Sequence, residues 1–134
     1  TSIGIKHYFT VHKLEHELSG MYDNVAHGEG LSILFLAWAK YVCPYHQSLF
    51  AKFAYDVMGV STTTSFEQAA RVGINRVEKY FESIGMPTRL SQLSITPKFF
   101  DDMANKATNN NQTPVDGIKK LYKEDIIEIF KLAK

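Results

Sequence analysis

The run LSILFLAWAKYV, residues 31–42, constrains this chain more than any other stretch. Wound as a helix it is apolar on nearly every side. Such a helix is stable only when other elements surround it, so it belongs at the centre of a domain. It is too short to cross a bilayer and it carries Lys40, so a membrane span is not expected. Pro44 closes it, because proline has no amide to donate and its ring clashes with the preceding turn. Gly28 and Gly30 read as the turn in front of it.

The remaining segments supply amphipathic partners. Residues 8–21 place Phe9, Val11, Leu14, Leu18 and Met21 on one helical stripe, and Gly20 with YDN reads as its end. Leu49, Phe50, Phe53, Ala54, Val57 and Met58 share a face over 46–58, with Gly59 as a natural left-handed stop. Ser65 and Gln68 form a capping box for a helix that runs to about Ile84. Gly73 lies inside it, a position destabilising by about 1 kcal/mol against alanine when exposed. Thr96-Pro97 caps a helix through about Ala107. TNNNQTP reads as a loop, and KEDIIEIFKLAK closes the chain as a helix whose charges suit its dipole. No strand and no repeat is evident. The expected fold is an all-α bundle of about six helices in a single domain, 1–134, a length that suits one core.

Charge excludes two classes of partner. Fifteen basic against fourteen acidic residues leave a net charge of +1. That balance offers no footprint for nucleic acid or for an anionic membrane. With one cysteine there is no internal disulfide, and no charged-then-apolar leader opens the chain. Both suit a cytoplasmic location. Cys43, at the end of an apolar helix, reads as packing rather than as a nucleophile. The first residue is Thr1, so the chain is expected to have been processed, trimmed or cut from something longer.

The chemistry concentrates in VHKLEHELSGMYDNVAHGEG, residues 11–30, which holds three of the five histidines. His12 and His16, four apart, lie on one helix face, and His27 follows a turn. Two neutral imidazoles so placed can share a divalent metal, or one can bind metal while the other meets a substrate. Equally, each can be satisfied by a backbone carbonyl. Asp23 reads as a turn residue, and Glu15 and Glu17 as residues of the helix surface. His7 and His46 have no partner at a telling spacing. No glycine-rich phosphate loop and no nucleophile elbow is present.

HKLEHELSGMYD followed by AHGEGLSILFLAWAKYV resembles the iron-containing alcohol dehydrogenase family, in its butanol-dehydrogenase-like branch. The likeness continues through YFESIGMPTRLSQL and GIKKLYKEDIIEIFKLA, and so covers nearly the whole chain in order. It implies the C-terminal, metal-binding helical domain of a dehydroquinate-synthase-like fold. Its partner would be an upstream α/β domain that binds NAD or NADP, with no cofactor-binding residue in this chain. The family's metal, Fe2+ or Zn2+, has one Asp and three His ligands. The resemblance places two of them at His12 and His27, and matches His16 to a histidine near the nicotinamide that relays a proton. The implied reaction is hydride transfer between NAD(P) and a primary alcohol or aldehyde such as butanol or butanal.

The chain also departs from that pattern. Fifteen positions separate His12 from His27, one more than the family spacing, and the extra residue falls at Asn24 or Val25. TSIGIKHYF fits the family's small-residue approach poorly, and Tyr122 stands where a small polar cap is usual. The Asp ligand, the first His ligand and the nucleotide domain all lie upstream, so this portion alone should be inactive. The chain is then an excised piece, a proteolytic fragment, one product of a split gene or a decayed remnant. A second reading is a non-catalytic helical module descended from the family. Apolar surface left open on LSILFLAWA and on the aromatic helix at 49–58 would favour a homodimer or higher oligomer.

Overall fold

A computed structural model describes residues 2–22, 27–45, 47–115 and 120–134, with the side chains of 2–9 and 27 outside the description. Among the described residues six α-helices form: α1 (Ser2–Met21), α2 (His27–Val42), α3 (Gln47–Asp56), α4 (Phe66–Ser83), α5 (Phe100–Ala107) and α6 (Lys123–Ala133). Short 3-10 turns occupy Cys43–Tyr45, Leu90–Leu93 and Pro97–Phe99. Among the described residues there is no strand, only an isolated antiparallel bridge between Val115 and Leu121. Among the described residues no helix is long and apolar enough to cross a membrane.

The central position expected of the apolar run is realised. The α2 helix packs against α1, α4 and α6, and Ile33, Leu34, Leu36, Ala37, Trp38, Ala39 and Val42 are all buried. Apart from Leu31 and Phe35, which are partly buried, its apolar surface is covered within the chain, so little of LSILFLAWA is left open. Over 49–58 the large apolar residues left exposed are Phe53 on α3 and Val57 just beyond its end. The helix also starts earlier than the glycines suggest. Gly28 and Gly30 lie inside its first turn; at Gly30 the missing Cβ leaves room for Glu15, whereas a Cβ at Gly28 would meet Met86 only at an ordinary 4.0 Å.

The other boundaries follow from identifiable caps. The Ser65 hydroxyl accepts from the Gln68 amide at 3.3 Å, the Ser65 half of the expected box. Gly59 adopts φ +70°, and the Val60 amide returns to the Ala54 carbonyl at 3.1 Å, closing α3. The helix expected from Thr96 begins instead as a 3-10 turn at Pro97, and α-geometry starts at Phe100. In the TNNNQTP turn, Asn109, Asn110 and Asn111 are all left-handed, a conformation asparagine tolerates better than most residues. The side-chain carbonyl of Asn111 accepts from the Lys123 amide at 3.0 Å, which fixes the start of α6.

One polar tie joins the centre to the last helix. The Tyr41 hydroxyl donates to Asp125 at 2.5 Å, and the same carboxylate accepts from the Tyr122 amide at 3.0 Å. Burial, followed by the bond to Asp125, pushes the Tyr41 phenol well above the usual range for tyrosine. The folded state therefore holds this proton more tightly than the unfolded chain does. The resulting stability is complete below a pH of about 10, the unfolded value, and is lost as pH rises through the folded one. Tyr41→Phe should cost about 1 kcal/mol at neutral pH and should flatten the alkaline fall. Urea unfolding at neutral and alkaline pH measures both effects.

Candidate metal centre

The buried face of α1 is Val11, Leu14, Glu15 and Leu18, and this sets where the histidines fall. His12 lies at the edge of that face, half-buried, with its Nδ1 shielded from solvent. His16, one turn on, is exposed. His27 is the first residue of α2, and α2 packs on α1. The structure thus brings together the helix carrying His12 and His16 and the helix that begins at His27. The His27 side chain, Asp23 and the extra residue at Asn24 or Val25 lie outside what is described. So does His46, and of His7 only its place in α1 is given.

Glu15 is a correction. It reads as a surface residue from its neighbours in the sequence, yet it is 1% exposed. Its Oε1 accepts from the Ser19 hydroxyl one turn along α1. Its side chain lies against Gly30 of α2, where an added Cβ would come within 2.8 Å of both Cγ and Oε1. The signal for this was present: Glu15 is four residues after Val11 and three before Leu18, on the apolar stripe itself. The first turn of α2 is held elsewhere by Ser32, whose hydroxyl donates to the carbonyls of Glu29 at 3.0 Å and Pro87 at 2.9 Å.

Cys43 plays no part in this region. It is buried beside the cleft lined by Lys40, Arg71, Ile74 and Asn75. Burial raises its thiol pKa, which keeps the reactive thiolate scarce. Packing is its role, as its sequence position suggests.

The donor set tests what metal the chain suits. Among the described residues, no group of three or more His, Cys, Asp or Glu converges on one point. The pair of imidazoles that the resemblance assigns, His12 and His27, would be donors of a type that suits Fe2+ and Zn2+. A pair fits as part of a ligand set completed by residues from elsewhere, since catalytic zinc ordinarily has three protein ligands.

These features define the class as an all-α domain built around one buried helix, with histidines on the helix pair that begins the chain. The chain belongs to the Fe-containing alcohol dehydrogenase family, whose C-terminal region matches residues 2–134. It is 32% identical over 133 residues to NADH-dependent butanol dehydrogenase A of Clostridium acetobutylicum, a match covering 97% of this chain and 33% of that protein. A probable NADH-dependent butanol dehydrogenase of Bacillus subtilis is 30% identical over 133 residues, covering 98% and 34%. Among solved structures, NADH-dependent butanol dehydrogenase A of Thermotoga maritima superposes with a TM-score of 0.83 at 30% identity, covering 93% of this chain and 32% of that one. The chain thus spans about a third of the length of the relatives it matches.

Proposed function

We propose that this chain is the metal-binding helical part of an NAD(P)-dependent alcohol dehydrogenase that interconverts primary alcohols and aldehydes of the butanol class. His12 and His27 are its metal ligands, and His16 relays the proton. The observation that carries the reading is the match to butanol dehydrogenases along the whole chain, together with the packing of the His12 helix on the helix that His27 opens.

The division of labour follows from the positions. His12 is half-buried at the α1 edge, with its Nδ1 shielded from solvent. His16 is exposed, as a group must be to exchange protons with substrate and water, and imidazole is the side chain suited to that near neutral pH. The chemistry supplied by a bound Fe2+ or Zn2+ is Lewis-acid polarisation of the substrate oxygen, with the hydride carried by the nicotinamide. On this reading the nicotinamide is bound by the upstream domain, and the remaining two ligands also lie upstream of these residues.

The direct test uses the full-length protein with NADH or NADPH and butanal. Oxidation of the nicotinamide should stop when a chelator strips the metal and should return when Fe2+ or Zn2+ is added. A rate indifferent to chelation would refute the metal-dependent reading.

A further inference from the structure

The buried Glu15 has a place that its own helix does not explain. It stands between His12 and His16 in the sequence, and it turns inward to the facing helix while His16 stays in solvent. Its contact there is Gly30, three residues beyond His27. Residues three apart lie on neighbouring parts of one helix face, so Glu15 and His12 share a side of α1, and Gly30 lies in the first turn of α2, the helix that starts at His27. We infer that Glu15 is a positioning residue, whose carboxylate, seated on Gly30 and held by Ser19, fixes the first turn of α2 on α1 and thereby sets His27 relative to His12. This rests on the assignment of the two histidines as ligands.

The physical argument is one of space and direction. Only a residue without a Cβ lets the carboxylate come so near the α2 backbone, because a methyl group at position 30 would meet Glu15 at 2.8 Å. Carbon–carbon contacts settle at about 3.5–4.0 Å, so either helix or side chain must move aside. The Ser19 hydroxyl donates to Oε1, the same oxygen that faces Gly30. That bond restrains the side chain from swinging away. A displaced first turn of α2 carries His27 with it, and residues that orient metal ligands commonly affect affinity by about 10–100-fold.

The experiment measures Co2+ affinity, by competition with a chromophoric chelator, in the full-length protein and its variants, and records the visible bands of bound Co2+. Glu15→Gln keeps the shape and an acceptor for Ser19, and should bind within about threefold of the parent, well inside that range. Gly30→Ala and Glu15→Ala should each weaken binding by about tenfold or more and alter the bands. Ser19→Ala should do so to a smaller degree. His12→Ala serves as the reference for losing a ligand. If His12→Ala abolishes Co2+ binding while Gly30→Ala, Glu15→Ala and Ser19→Ala bind as the parent does, Glu15 is core packing alone and the inference is overturned. If His12→Ala itself leaves Co2+ binding intact, the ligand assignment fails and takes the positioning role with it. Should Glu15→Ala not fold, Glu15→Gln and Gly30→Ala still decide the question.

Discussion

Replacing His12 by alanine in the full-length protein is expected to lower kcat/KM for butanal reduction by about a thousandfold or more. A bound metal is worth several kcal/mol of transition-state charge stabilisation, and each 1.36 kcal/mol is about tenfold in rate. On the proposed assignment His27→Ala should behave alike, since each substitution removes one metal-binding nitrogen. His16→Ala is expected to differ in kind. Loss of a proton-transfer group costs about 10²–10⁴-fold but leaves the metal in place. The two classes separate on a readout other than rate. Metal at a hundredfold excess over its Kd should stabilise the parent by about 2.7 kcal/mol, and His16→Ala should keep that gain while His12→Ala loses most of it. Full activity and full metal content in His12→Ala would remove it from the ligand set.

Much of this was legible because the fold rests on one unambiguous feature. A helix apolar all round must be central, and the stripes at 11–18 and 46–58 could only be its coverings or their partners. Boundaries set by local chemistry were readable because they act within a few residues: Ser65 through its hydroxyl on the Gln68 amide, Gly59 and Pro44 through their own backbones. The errors arose where a residue's meaning depends on the facing helix. Gly28 and Gly30 look like a turn, but α2 runs through both, and at Gly30 the space left by the missing Cβ is taken by Glu15 of α1. Glu15 looks exposed because glutamate usually is, and only Gly30 on another helix gives it a seat. The histidines illustrate a different limit. Spacing put His12 and His16 on one helix, but two imidazoles do not by themselves distinguish a ligand from a satisfied ring. The distinction came from the resemblance, which alone assigns the roles of these histidines.

Gly73→Ala is expected to destabilise the domain, the opposite of what helix propensity alone gives. In an exposed helix interior the change would gain about 1 kcal/mol. Gly73 is buried, however, and its helix α4 makes the most extensive helix pair of the fold with α3. A Cβ at position 73 would lie 2.6 Å from the Ala54 Cβ and 3.2 Å from the Ala54 Cα. Neither atom sits on a flexible side chain, so relief requires the helices to part along their whole contact. Overpacking of this kind costs about 1–3 kcal/mol, sometimes more, and with both atoms tied to backbone the upper part of that range applies. The net loss should then be about 1–2 kcal/mol after the propensity gain is subtracted, measurable by urea unfolding. The decisive comparison is the same substitution in an Ala54→Gly background. With the opposing methyl gone, Gly73→Ala should become neutral or mildly stabilising relative to Ala54→Gly alone. A loss of the same size in both backgrounds would show that the cost does not arise from the α3–α4 contact at Ala54.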